Sequence, residues 1–185
     1  LLLENMLVKP NIIAITEIKP KNLKGSILPS EFHLEGYQNF CVGLEEKSAR
    51  GIILYVDNNL KASLVDIPTT FKECMFVIVH CANNEKLLIS NIYRSPSSTE
   101  ENDEKLFKLI KFLNEKYNIP TVLVGDFNFS SIKWDNKLTT FAGLNASEIK
   151  FVKTIRENYF YQHVDKPTTT PWAKTSYGRL TLRRP

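Results

Sequence analysis

What this sequence has little of narrows its chemistry before any motif is read. Its seven glycines never lie closer than seven residues apart, the tightest pair being Gly36 and Gly43. Neither common glycine-rich phosphate loop is possible, because both need glycines within about five residues so that backbone N–H groups can close on the phosphates. A Gly-x-Ser-x-Gly elbow and a His-Glu-x-x-His helix are also missing. The three histidines, His33, His80 and His163, are scattered, and none stands at zinc spacing from another ligand. Cysteine is sparse and odd-numbered: Cys41, Cys74 and Cys81. The last two fall seven apart on an expected strand and face opposite sides, so they are poor disulfide or zinc partners. A reducing compartment follows as the expectation, nucleus or cytoplasm. No apolar run approaches the roughly 18 residues a membrane span needs, and no membrane partner is expected.

The charge is ordinary in amount and uneven in place. Lys and Arg number 24 against 20 Asp and Glu, a net +4 over 185 residues. Five of the basic residues (Lys166, Lys174, Arg179, Arg183, Arg184) lie between Lys166 and Pro185 with no acid among them. The first 165 residues therefore carry 19 basic and 20 acidic groups, a net −1. Net charge alone is weak evidence for a polyanionic partner.

Apolar periodicity predicts one α/β domain. Residues 1–8 read as a helix end stopped by Pro10. Ile12 to Thr16 is a short continuous apolar run, expected as a strand buried on both faces, with Glu17 at its carboxyl end. Lys19 to Gln38 is broken by Pro20, Gly25, Pro29 and Gly36 and reads as loop. Gly51–Val56, Ala62–Ile67, Cys74–His80 and Leu87–Tyr93 follow as strands, spaced like antiparallel neighbours. Ser98 and Glu101 fit a capping box, and Leu106, Ile110, Leu113 and Tyr117 then make one helical stripe. Thr121–Val124 is a further buried strand running into Gly125-Asp126-Phe127-Asn128. A second helix is expected from about Ser147 to Asn158, and a short strand at Tyr161–Val164. Beyond Pro167 no apolar pattern is visible.

Two carboxylates stand where α/β folds build their sites, at the ends of apolar strands: Glu17 and Asp126. If they converge, their repulsion calls for a hard cation, and oxygen-only ligation favours Mg²⁺ over zinc. The alternative is a pair of solvated strand caps. Asn128, two residues beyond Asp126, would point the same way on extended backbone. A carboxylate beside an amide can orient a water and donate to a phosphate oxygen. Tyr93 and Arg94 end another strand, where a phenol and a guanidinium could hold a phosphate. Taken singly, Tyr93 reads as packing and Arg94 as surface charge. Trp134 could stack on a base, or anchor its own loop by burial.

Ile12 to Glu17, Arg50-Gly51-Ile52-Ile53-Leu54-Tyr55-Val56, Asn91-Ile92-Tyr93-Arg94-Ser95-Pro96 and Val124-Gly125-Asp126-Phe127-Asn128 occur in a recognisable order. The set resembles the endonuclease/exonuclease/phosphatase superfamily, in particular the endonuclease domain of non-LTR (LINE-type) retrotransposons, over roughly residues 1–167. The resemblance implies a four-layer α/β sandwich with two mostly antiparallel sheets, DNase I-like, that cleaves phosphodiesters in DNA with Mg²⁺ or Mn²⁺. Carried over by position, Glu17 is the metal ligand. Asp126 orients or deprotonates the attacking water, Asn128 fixes the water and the scissile phosphate, and Tyr93 supports the transition state. Arg94 and Trp134 are carried as phosphate or substrate contacts.

The likeness also implies features this sequence does not contain: an Asn on an earlier strand, a late Asp, and a Ser-Asp-His motif. No Asp or Glu follows Asp165 and no His follows His163. The expectation is a partial domain over 1–167 with an atypical basic tail over 168–185, from truncation, a frameshift or a mispredicted exon, and impaired catalysis. Two competing readings remain open. One is a non-catalytic remnant that binds nucleic acid or protein; the other is a phosphomonoesterase or lipid phosphatase of the same superfamily.

Overall fold

The computed structural model describes residues 7–20, 23, 27–45, 49–134 and 141–163, together with the backbone of 182–183. Eleven strands and α-helices occur among them: β1 (Ile12–Thr16), β2 (Tyr37–Val42), β3 (Ile52–Asp57), β4 (Lys61–Leu64), β5 (Cys74–His80), β6 (Lys86–Tyr93), α1 (Glu100–Lys116), β7 (Thr121–Asp126), α2 (Ala146–Glu157), β8 (Tyr161–Gln162) and β9 (Leu182–Arg183). They form two sheets. The smaller has the order β1-β3-β2, antiparallel throughout. The larger has the order β4-β5-β6-β7-β9-β8, antiparallel except where β6 and β7 run parallel. This is the α/β sandwich of two mostly antiparallel sheets that the resemblance implies.

The sheets face each other across one apolar layer, in which Ile52, Leu54 and Val56 of β3 meet Met75, Val77 and Val79 of β5. Asn91 of β6 ties the layers by donating its side-chain amide to the Ile53 carbonyl at 3.0 Å. On the far side of the larger sheet, α1 and α2 bury Leu106, Ile110, Leu113, Phe151 and Ile155 over Phe76, Leu88, Ile92 and Leu123. That stripe matches the predicted helical spacing. The outer face of the smaller sheet carries Tyr37, Ile53 and Tyr55, covered in part by Phe32 and Leu34 around a single 3₁₀ turn, Pro29–Phe32.

Helix starts are set by side-chain caps. Asn145 and Glu148 cap α2 reciprocally, each side chain accepting from the other's backbone N–H. At α1 the expected Ser98–Glu101 box is not formed. Thr99 is the cap, accepting from the Asn102 N–H, and Ser98 instead donates to Asp103.

Three other expectations are corrected. β2 forms inside a segment read partly as loop, because Tyr37 and Tyr55 can then bury their rings edge to face. β1 is not buried on both faces. It is an edge strand with Ile15 40% exposed, and no described residue pairs with its outer side. β3 and β4 are not neighbours, since β3 is already flanked by β1 and β2 and the chain crosses to the larger sheet after Asp57. In the tail, Leu182–Arg183 forms β9 between β7 and β8. The helix expected at residues 1–8 falls almost entirely outside the described residues, as does most of the tail. Leu7 and Val8 are exposed bends. Cys74 is half-buried with its thiol pushed up to about 12 by burial, and Cys41 and Cys81 are also free. No described helix is long and apolar enough to cross a membrane.

Candidate active site

Register brings the strand-final residues to one edge of the sandwich. Thr16 and Val42 both pair with Ile52, so Glu17, Gly43 and Gly51 share that edge of the smaller sheet. In the larger sheet β6 and β7 are parallel, with Tyr93 opposite Asp126. The Tyr93 hydroxyl spans the two sheets and donates to Glu17 Oε1 at 2.5 Å. Glu17 and Tyr93 are 76 residues apart in sequence, so only the fold joins them.

On the Glu17 side the backbone turns abruptly. Glu17 has φ 57°, a left-handed conformation that costs an ordinary residue about 1–2 kcal/mol. Two backbone hydrogen bonds hold the turn, Ile18 N–H to the Gly51 carbonyl and Lys19 N–H to the Arg50 carbonyl. Lys19 is 4% exposed and donates its ammonium to the carbonyls of Gly43 and Leu44, fastening the β2–β3 loop to this turn. Arg50 donates Nε to the Lys19 carbonyl, and its Nη2 lies 3.5 Å from Glu17 Oε1. The carboxylate thus sits between a phenol and a guanidinium, with its other oxygen unpartnered among the described residues. Burial pushes the Tyr93 phenol well above its ordinary range, and the hydrogen bond to Glu17 adds to this. Tyr93 therefore remains a donor at any physiological pH.

The Asp126 side is built around a close approach. Gly125 has φ 131°, and a Cβ there would lie 1.9 Å from the Ile92 carbonyl oxygen. Only glycine lets β7 run this tightly beside β6 into the loop. Asp126, 5% exposed, accepts the Asn128 N–H at 3.1 Å, an Asx turn that directs both side chains. Asn128 takes φ 49°, which asparagine tolerates, and donates its amide to the Arg94 carbonyl at 2.7 Å. One amide N–H and the amide oxygen remain for the site. Phe127 and Phe129 anchor the loop on Phe151 of α2, Phe129 stacking at 4.5 Å between centroids.

Arg94 is placed differently from the sequence reading. It is not a surface charge. It is 6% exposed and forks onto Asp103 of α1, Nε to Oδ1 at 2.7 Å and Nη2 to Oδ2 at 2.9 Å. Its Nη1 reaches the carbonyls of Phe127 and Asn128, and the guanidinium lies 4.0 Å above the Phe129 ring. Burial raises the Asp103 carboxyl, but the hydrogen bonds from Arg94 and Ser98 and the Arg94 charge outweigh it, leaving the pKa lowered. Arg94 and Asp103 therefore clamp the Asp126–Asn128 loop to the first turn of α1. Trp134, partly buried, packs edge-on against Phe151 at 6.5 Å, an anchoring contact.

Glu17, Tyr93, Asp126 and Asn128 thus share one edge, while Arg94 and Trp134 support the loop from behind. Arg50, Lys19 and Asp103 had no assigned role in the sequence. Arg50 stands just before the Gly51–Val56 run, whereas no spacing marks a buried acid in a first helical turn. Among the described residues no group of three or more His, Cys, Asp or Glu gathers as a metal cage. An all-oxygen set with one exposed carboxylate suits Mg²⁺, which keeps several waters and takes one or two carboxylates. Glu17, 27% exposed at its side chain and with a free oxygen, fits such an ion.

A family described as endonuclease-reverse transcriptase matches residues 87–181, just over half of the chain. Among solved structures, the endonuclease domain of TRAS1, a telomere-specific non-LTR retrotransposon, superposes with a TM-score of 0.57 at 16% identity, covering 82% of this chain and 68% of that one. The human Nocturnin catalytic domain gives 0.57 at 16% identity, covering 94% and 69%. An endonuclease/exonuclease/phosphatase protein from Beutenbergia cavernae gives 0.55 at 14% identity, covering 95% and 55%. At these identities the likeness is one of fold. No curated protein sequence matches the chain.

Proposed function

This chain belongs to the endonuclease-reverse transcriptase family, and from that premise we propose that its edge site hydrolyses phosphodiester bonds in DNA with Mg²⁺ or Mn²⁺ held at Glu17. One observation carries the reading: Tyr93, whose strand pairs residue for residue with that of Asp126, donates to Glu17 and so joins strand-final carboxylates of both sheets into one edge. The wider superfamily generally uses divalent metals.

A divalent cation at Glu17 would neutralise phosphoryl charge as it develops. The remaining work falls to the chain itself. Asp126, fixed by the Asn128 N–H, orients the attacking water and draws its proton. The free Asn128 oxygen accepts from that water, and its second N–H is available to a phosphate oxygen. Tyr93, kept protonated, donates its one hydroxyl proton to the Glu17 carboxylate and so fixes it beside the phosphate's place. The Ser-Asp-His group that the resemblance implies is not among these 185 residues. Turnover by them alone is therefore expected to be slow, by roughly three orders of magnitude or more.

The test is prolonged nicking of supercoiled plasmid in Mg²⁺, beside a chelator control, Asp126→Ala and Glu17→Gln. Slow nicking lost in all three controls supports the reading. Nicking that persists in Asp126→Ala overturns it. Phosphate release from a monoester without nicking moves the substrate to phosphomonoesters, and no turnover on either substrate leaves a binding domain instead.

A further inference from the structure

Arg50 has a geometry that the proposed chemistry does not use. Three contacts fix its base: its N–H donates to Glu73 Oε1 at 2.9 Å, its carbonyl accepts from Lys19, and its Nε donates to the Lys19 carbonyl at 3.1 Å. Its outer nitrogen is held more loosely. Nη2 stands 3.5 Å from Glu17 Oε1, a single contact, and both side chains are 27% exposed. The Arg94–Asp103 fork shows the contrast, with two bonds of 2.7 and 2.9 Å in the interior. Arg50 also shares its acceptor oxygen with Tyr93.

A loose, half-exposed ion pair is readily exchanged for a stronger cation. The carboxylate stays in place when the partner leaves, because the left-handed turn and the Tyr93 hydroxyl fix it independently of Arg50. The guanidinium plane, meanwhile, stays fixed by the Nε bond to the Lys19 carbonyl, so what the departing contact frees is an outer N–H edge suited to a phosphate. We propose that Arg50 holds the Glu17 charge in the cation-free protein, yields the carboxylate to a divalent cation, and offers its freed outer N–H edge to the substrate phosphate. Arg50 and the cation thus compete for one carboxylate, while Arg50 and the substrate cooperate. The inference rests on the reading of Glu17 as the cation's ligand.

The test measures Mn²⁺ affinity from the free-ion electron paramagnetic resonance signal, with binding of an uncleavable phosphorothioate duplex at fixed salt as a second readout. Arg50→Gln is expected to bind Mn²⁺ about three- to tenfold tighter, since a repelling charge and a competitor are both removed. Its duplex affinity should fall severalfold. Arg50→Lys, which keeps the charge, should stay within about twofold of the native Mn²⁺ affinity. Arg50→Met repeats the measurement with the stem packing retained should the glutamine variant fail to fold. Unchanged or weaker Mn²⁺ binding in the folded glutamine or methionine variant overturns the proposal, as does equal tightening by lysine. Glu17→Gln separates the two levels. If Mn²⁺ binding survives Glu17→Gln, the site reading falls and this proposal with it. If that variant abolishes binding while Arg50→Gln leaves it unchanged, only the role of Arg50 falls.

Discussion

The two sides of the site are fastened by opposite means. Asp126 and Asn128 are held from behind by a buried, forked ion pair, a stack of aromatic rings and a glycine that nothing else can replace. Glu17 is held by backbone hydrogen bonds, one phenol and a half-exposed arginine at 3.5 Å. Groups that must direct a water toward one atom gain from immobility, because small misplacements cost large factors in rate. A carboxylate that must exchange one cation for another gains from a partner that can leave. On the proposed function, rigidity and exchange fall to different sheets, with Tyr93 as the bridge.

Substitutions that damage one side should leave the other intact. The largest effect is expected at Gly125→Ala, where the new Cβ meets backbone that cannot move aside; the loss should exceed about 4 kcal/mol in urea unfolding, or abolish folding. Asp103→Ala strands the Arg94 charge in the interior and should cost about 3–4 kcal/mol by the same measurement. The folded Asp103 pKa is lowered, so its contribution is fully present above the usual 3.8 and is lost as pH falls through the folded value. The gap between native and Asp103→Asn melting temperatures should therefore close in acid. Arg50→Gln should cost under about 1 kcal/mol, because its ion pair is partly solvated. The subtlest expectation is spectroscopic. Tyr93 holds its proton above the ordinary tyrosine value of 10.0, so Tyr93→Phe should leave the phenolate absorbance gained up to that pH unchanged. The stability that Tyr93 contributes is present below pH 10 and is lost as pH rises through its raised folded pKa.

How much of this was legible in sequence follows from what each feature depends on. Glu17 and Asp126 could be read because an apolar run followed by an acid is local, and so are the stripe of α1 and the span of α2. β2 escaped because its apolar residues are interleaved with Gln38 and Asn39 behind a run of breakers. The edge position of β1 could not be read at all: Ile-Ile-Ala-Ile looks the same whether one or both of its sides are paired. Arg94 was misjudged because its partner, Asp103, lies nine residues on inside a helix, a separation that matches neither strand nor helix periodicity. Its partnership exists only once the β6–α1 loop has folded back.

The hydroxyl bridge between Tyr93 and Glu17 also sets an order of assembly. Residues 86–128, which carry β6, α1, β7 and the clamped loop, make these defining contacts within their own span. Glu17 draws on two later segments: its turn and ion pair need Arg50 and Gly51, and its phenol partner lies 76 residues downstream. A newly made chain can pair Glu17 with Arg50 before the strand bearing Tyr93 has been synthesised, but not with its hydroxyl. The entropy of closing that long loop must be met before the hydrogen bond returns anything. The bridge between the sheets is therefore the last contact of the Glu17 side that a growing chain can make.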